Sequence, residues 1–560
     1  MAKKLKIWAL LILLIIPAFI SLIRPGFFWM QDDLQAFRIQ QLDKCISDLQ
    51  IPCRWVPDAG YQYGYPQFNF YPPGVYYLGE LFHLIGFQFI DAVKILFVLG
   101  FVLAALTMFI FLRSLFGPVP AFVGALIYTY SPYKAVDVYV RGAFSEFWSF
   151  VFFPLIFWAI YSLIKYGGKK YLAWMGLSIG LLLTTHALMS MIFLPLAALW
   201  GLLWVVLEKK WGVVLKLIFG GLLGLGIGAF FILPAMIEKP FSHSESMLGG
   251  YFDWRQHFVD INQLFISNHW GYGSSYLGPG DDLSLSTGHI LWIGALLTTV
   301  LSLIWYKKYP KISTAVFVLN TLALLVLFMT HQKSSFLWEK ITILAWLQFP
   351  WRILADSIFL LTIVSSAGLF IIRQAKIFWP VALAVIIGVF VLYSSFFKPY
   401  EWFNISDNEK FSGVLWEKEL TISIFDYLPI FAKLPPTSKA PDFPEIMDGK
   451  ASFLSYQKRS NWQKGEVEVF EMADIRLPLF DFPGMKVWSN GKEVIHSHND
   501  CRKQEFCLGL ISFKLAPGKH IIKAELTNTP IRTLANSLTV VSMFAIALLF
   551  IKSKYEKSDY

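Results

Sequence analysis

The chain has 560 residues, 56% of them hydrophobic and only 15% charged, with a mean hydropathy of +0.54. That composition excludes an ordinary soluble globule and defines a polytopic membrane protein. The net charge of +10 does not point to nucleic acid, because the basic residues fall in short clusters between apolar runs and form no single patch.

The N-terminus, MAKKLK followed by Ile7–Ile23, resembles a signal sequence. Its apolar run is long and no small-x-small cleavage site follows, so it reads as an uncleaved first helix. About twelve apolar segments are long enough to cross a hydrocarbon core of roughly 30 Å. They lie near 6–23, 93–112, 118–132, 146–164, 171–187, 188–207, 212–236, 288–306, 313–330, 353–373, 379–397 and 533–551. With the N-terminus placed in the cytoplasm, the inside loops are short and basic. They carry Lys3, Lys4 and Lys6; Arg113; Lys165, Lys169 and Lys170; Lys209 and Lys210; Lys307, Lys308 and Lys311; Arg373 and Lys376; and Lys552, Lys554 and Lys557. The alternate loops 24–92, 237–287, 331–352 and 398–532 are the long ones. This alternation puts both termini in the cytoplasm and the long loops outside a plasma membrane. The expected organisation is a multispanning domain over 1–397, an extracytoplasmic β-rich domain over 398–532, and a last helix with a basic tail over 533–560.

The first long loop opens with Asp32-Asp33 at the lip of the first helix, then runs through Arg38, Arg54 and Asp58 into a Tyr-, Phe-, Gly- and Pro-rich tract. Carboxylates at the edge of a bilayer are costly unless something uses them, which makes the pair a functional candidate. The aromatics alone read equally well as an interfacial belt.

In 398–532 the apolar runs shorten and alternate. Met485–Ser489 and Lys492–Ile495 flank Asn490-Gly491, the signal for a type I′ hairpin. Leu510–Leu515 and His520–Leu526 flank Ala516–Lys519 and read as a second hairpin. A small β-sandwich is expected. His496 and His498 belong to a solvated turn more readily than to a metal site. All four cysteines, Cys45, Cys53, Cys501 and Cys507, fall in outside loops, where oxidation is permitted. They allow three pairings, of which Cys45–Cys53 and Cys501–Cys507 need only short loops to close.

Sorted by side, the polar residues converge outside. Asp32, Asp33, Arg54 and Asp58 lie in the first loop, Arg141 and Glu146 in the second, and His186 at a tight turn. His257, His269 and Tyr272 follow in the loop 237–287, and Gln348 and Arg352 open the tenth helix. Asp356 follows Arg352 by one helical turn, so the two are expected to pair. Together these groups predict a polar cleft. A carboxylate at Asp32 or Asp33 suits a general base on an acceptor hydroxyl, and the pair also offers oxygen ligands to a divalent cation such as Mg or Mn. The arginines suit a phosphate. No P-loop and no Rossmann glycine fingerprint supports a cytosolic nucleotide donor, so a lipid-linked donor fits better.

The order of the motifs DDLQAFR, IPCRWVPDAGYQYGYPQFNFYPP, RGAFSE, TTHALMS, WGYGSS, LQFPWR and DYLP resembles the GT-C superfamily of membrane glycosyltransferases. More specifically it resembles the multispanning family labelled "6-pyruvoyl-tetrahydropterin synthase-related, membrane protein". The closing FPGMKVWSNGKEV and LAPGKHIIKAEL are similar to the β-domain of such proteins. The GT-C resemblance implies a first-loop acidic base, an outward active site and a polyprenyl-phosphate sugar donor. By motif position the base falls on Asp32 or Asp33, and the phosphate on Arg352 first and Arg141 second. The adjacent DD departs from the DxD spacing of some relatives. The expectation is therefore transfer of a sugar from a polyprenyl phosphate to an extracytoplasmic acceptor, with no nucleic-acid partner. The alternatives are a non-catalytic transporter or envelope-assembly protein using the same cleft and, more remotely, a pterin enzyme, for which no three-histidine cluster is present.

Overall fold

The computed structural model describes residues 2–277, 281–498 and 507–555. Each of the twelve apolar segments falls on a helix. Among the described residues, eight helices are long and apolar enough to cross a membrane: Phe89–Phe116, Phe144–Tyr166, Ala187–Glu208, Trp211–Ile237, Pro310–Met329, Pro350–Ile371, Phe378–Phe396 and Pro530–Ser553. Lys6–Ala18, Pro118–Thr129 and His289–Ile304 are shorter apolar helices, and Lys169–Thr185 has 17 residues. The twelve apolar segments thus fall on eight full-length apolar helices and four shorter ones.

Two helices, Phe144–Tyr166 and Pro350–Ile371, are buried along almost their whole length and form the centre of the bundle. Both carry apolar side chains around the whole circumference, as a helix surrounded by other helices must, with the charged Glu146 and Asp356 confined to their first turns. Aromatic rings fill the space between them, with Phe359 edge-on to Phe157 at 4.8 Å and to Phe153 at 5.9 Å. Elsewhere small residues set the spacing. A Cβ on Gly180 would meet Ile227, and one on Gly224 would meet Ile179, both at 2.5 Å. These glycines let Lys169–Thr185 lie directly against Val214–Ile237, the usual device where the lipid gives no hydrophobic drive for association.

The first long loop contains three helices, Gln35–Ser47, Gln67–Phe70 and Gly74–Leu84. A two-residue strand β1 (Phe27–Phe28) pairs antiparallel with β2 (Trp402–Phe403) and ties this loop to the segment that follows the bundle. A disulfide joins Cys45 to Cys53, with the Cα atoms 5.6 Å apart. The Cys501–Cys507 pairing lies outside the described residues. Trp55 and Tyr63 of the first loop enter the core of the β-domain, Trp55 against Phe482 and Tyr63 against Phe480.

That domain contains β3 (Glu445–Lys458), β4 (Trp462–Phe480), β5 (Met485–Ser489), β6 (Lys492–Val494), β7 (Leu510–Leu515) and β8 (Gly518–Leu526). They form one antiparallel sheet in the order β3-β4-β8-β5-β6, with β7 also on β4. The expected two-sheet sandwich is replaced by this single sheet, organised on the 19-residue β4. The β5–β6 hairpin turns at Asn490-Gly491, both with positive φ, as a type I′ turn requires. The second expected hairpin does not form. β7 pairs with the C-terminal half of β4 and β8 with its N-terminal half, from Ala473↔Leu515 to Val469↔Gly518. The chain therefore continues in one direction across Ala516-Pro517. Proline has no N–H to give to the ladder, so it interrupts the strand without reversing it.

Candidate functional site

A short π-helical turn, Asp137–Arg141, precedes the central helix Phe144–Tyr166. Such turns leave backbone groups free of the regular ladder. Here Gln31 N donates to Val140 O and Asp32 N to Arg141 O, each at 2.9 Å, which fixes the start of the first loop on this turn. Gly142 follows with φ +63, and a Cβ there would meet Met30 Sδ at 2.4 Å, so only glycine fits. Gln35 Nε2 then donates to Gly142 O at 2.9 Å and to Asp32 Oδ2 at 3.0 Å, and Arg38 Nη1 reaches Asp32 Oδ2 at 3.1 Å. Arg38 is buried and also lies over the Tyr71 ring at 4.1 Å.

Asp32 and Arg38 line a cavity of about 530 Å³ together with Arg141, Glu146, His186, Gln348 and Arg352. Glu146 is the hub of its inner wall. It accepts from Tyr133 and from Arg141 Nη2 at 2.9 Å, and it lies 3.3 Å from Arg352 Nε. Arg141 is also paired with Asp137 at 2.6 Å and covers the Trp351 ring at 4.4 Å. Arg352 Nη1 donates to Leu347 O at 2.7 Å and Gln348 Oε1 at 2.9 Å. The expected Arg352–Asp356 pair is not made. Asp356 is fully buried, and among the described residues neither of its oxygens has a hydrogen-bond partner, while Arg352 lies against Glu146. His186 Nδ1 accepts from Met189 N at 3.0 Å and caps the helix Ala187–Glu208, leaving Nε2 as its other polar ring atom.

Four sequence candidates lie elsewhere. Asp33, next to Asp32, is bonded to Lys410 at 2.7 Å, and Lys410 also holds Glu419 at 2.7 Å. Burial pushes the Asp33 carboxyl above its ordinary range against the pull of Lys410, and it raises Glu419 to about 7 against the same lysine. The two adjacent carboxylates thus engage different cations. Asp58 contacts Lys44 and Gln41. Arg54 donates to Phe230 O and Asn536 Oδ1, each at 2.9 Å. Burial, with Arg532 repelling it, lowers the Arg54 guanidinium to about 10. His269 is half exposed and pairs with Asp282 at 2.8 Å. Of the other histidines, His257 is buried against Ser275 Oγ, and Tyr272 bonds Lys398 O. His496 and His498 flank Asp481 at 3.4 and 3.1 Å.

Several cavity residues were not singled out from the sequence, among them Lys239, Ser244, Asp426 and Tyr427. Asp426 and Tyr427 belong to the DYLP motif, whose position just before the β-domain was the available signal. Burial raises the Asp426 carboxyl to about 6, with Ser423 and Arg38 opposing. Among the described residues, no group of three or more His, Cys, Asp or Glu side chains is placed to hold a metal ion.

A bundle of apolar helices bearing an acidic and basic cavity, joined to an antiparallel sheet, defines a multi-pass membrane protein. Residues 68–251 match the family described as 6-pyruvoyl-tetrahydropterin synthase related domain; membrane protein. No curated protein matches the chain. Among solved structures, the chain is similar to arabinofuranosyltransferase AftD from Mycobacteria at 15% identity and TM-score 0.45, over 71% of this chain and 27% of that one. It is also similar to the Archaeoglobus fulgidus oligosaccharyltransferase tethered with an acceptor peptide, at 14% identity and TM-score 0.41, over 78% and 60%. The archaeal oligosaccharyltransferase AglB in complex with an inhibitory peptide and a dolichol-phosphate is similar at 13% identity and TM-score 0.41, over 78% and 61%. The chain spans less than two thirds of each of these proteins.

Proposed function

We propose that this chain is a GT-C type membrane glycosyltransferase that moves a sugar from a polyprenyl phosphate to an acceptor outside the cytoplasm. The observation that carries the reading is the juxtaposition, in one cavity, of a held but accessible carboxylate, Asp32, with an arginine cluster centred on Glu146. Asp32 takes the proton of an acceptor hydroxyl as its oxygen attacks the anomeric carbon. The bond from that carbon to the donor phosphate breaks, and the phosphate leaves with the electron pair as polyprenyl phosphate. Arg352 and Arg141, oriented by Glu146, supply hydrogen bonds to the phosphate oxygens that gain charge. Transfer outside requires the orientation given by the basic loops, with the cavity on the face opposite the cytoplasm.

The test is transfer of radiolabel from a polyprenyl-phosphate sugar to an envelope fraction by the purified protein. Transfer that depends on Asp32 supports the reading, and its absence with every polyprenyl-phosphate sugar offered refutes it.

A further inference from the structure

The β-domain is held together by one side of its sheet. Val467 of β4, Ile522 and Ala524 of β8 and Val487 of β5 are buried in its core, where Trp55 and Tyr63 of the first loop also pack. Successive residues of a strand point to opposite faces, so the residues between these form the outward side. The ladder fixes which of them meet there. Trp462 of β4 lies opposite Glu525 of β8, and Glu525 lies opposite Lys486 of β5. One step along, Lys464 lies opposite Lys523, and Lys523 opposite Trp488. Two tryptophans therefore stand on one outward face with a single strand between them. From strand spacing and rise their Cα atoms are about 12 Å apart. Both are half-buried, and among the described residues neither packs into a hydrophobic core.

The chemistry of this face selects its occupant. Lys464, Lys486 and Lys523 are balanced by Glu466, Glu493 and Glu525. Lys523 holds Glu525 at 2.6 Å, and Lys486 holds Glu493 at 3.0 Å. A face without net charge does not draw in a polyanion or an anionic bilayer. β4, β8 and β5 are interior strands, so no open edge is offered there to a peptide strand. The Lys523–Glu525 pair stands between the two rings, which breaks up the apolar patch that a second copy would need. A sugar meets every one of these conditions. Its C–H face is positively polarised and stacks on the electronegative face of an indole. Its hydroxyls both donate and accept, which suits paired ammonium and carboxylate groups.

We infer that the outward face of β4, β8 and β5 is a binding platform for a neutral oligosaccharide chain. One sugar stacks on Trp462 and another on Trp488, and the Lys523–Glu525 pair bonds the hydroxyls between them. The inference goes beyond the transferase reading and does not depend on it. The platform lies on the side of the sheet turned away from Trp55 and Tyr63, and none of its residues lines the cavity.

The test uses the full chain in detergent and three immobilised neutral polysaccharides: a mannan, a galactan and a glucan. At least one should be retained. Trp462→Ala and Trp488→Ala should each weaken that binding by about three- to tenfold, the worth of one aromatic face. Trp488→Tyr should keep most of it. All three variants should unfold at the wild-type midpoint, because neither ring belongs to a core. Asp32→Asn should bind as the wild type does, so a failure of the transferase reading leaves the platform standing. Retention of none of the three polysaccharides overturns the platform. So does binding that both alanine variants keep, or a midpoint lowered as by a core substitution. Tryptophan-dependent binding of dextran sulfate alone assigns the face to polyanions, and of phosphatidylglycerol vesicles alone to lipid; either overturns the inference. Loss of glycan binding in Asp32→Asn moves the site to the cavity and overturns it as well.

Discussion

Asp32 and Asp33 are adjacent, so a comparison of their asparagine variants tests which of the two carboxylates serves as the proposed base. Asp32 Oδ2 accepts from Gln35 Nε2 and Arg38 Nη1, and the amide oxygen of Asn can accept both bonds while holding no proton-accepting charge. Asp32→Asn should therefore lower transfer by roughly 10²–10⁴-fold, the share of a positioned base. The cost in stability should be only about 1 kcal/mol, because the Asp32 side chain is 39% exposed and solvent screens its pair with Arg38. Asp33→Asn has the opposite profile. It takes one of two carboxylates from Lys410, whose side chain is 3% exposed and which keeps Glu419, so stability should fall by about 1–3 kcal/mol and transfer should stay within a few-fold. The assays are initial rates with a polyprenyl-phosphate sugar and thermal unfolding of the same preparations. Wild-type turnover in Asp32→Asn refutes the base assignment. Loss of turnover in Asp33→Asn at unchanged stability refutes the division of roles between the two residues.

Glu146→Gln removes the carboxylate shared by Arg141 and Arg352 and should destabilise the protein by about 3–5 kcal/mol, as breaking a buried ion pair does; an unchanged unfolding midpoint contradicts the hub. Glu419 holds its proton up to about pH 7 in the folded protein, above its ordinary value of about 4.3. Its contribution to stability is full below about pH 4 and is lost as pH rises through 7. Wild type should therefore lose up to about 3 kcal/mol relative to Glu419→Gln across that window; a pH-independent difference removes the assignment. Cysteines introduced near Gly491 should label from outside the cell and those near Lys169 should not, and outside labelling near Lys169 breaks the alternation of basic loops.

Much of this molecule is written locally in its sequence. The apolar runs specify the helices because a backbone in lipid must satisfy its own hydrogen bonds, and Asn490-Gly491 specifies its hairpin because few residue pairs accept two positive φ values. The sequence also singled out Asp32, Arg141, Glu146, His186, Gln348 and Arg352 as polar residues on one side of the membrane, all of which line one cavity. Pairing was decided only by tertiary structure. Helical spacing offered Asp356 to Arg352, yet the arginine crosses to Glu146, since the partner chosen depends on how two helices pack and not on one turn of either. The same holds for Asp33, whose lysine lies in a segment 377 residues away, and for β7 and β8, whose turn residues suggest a hairpin while β4 holds them in line.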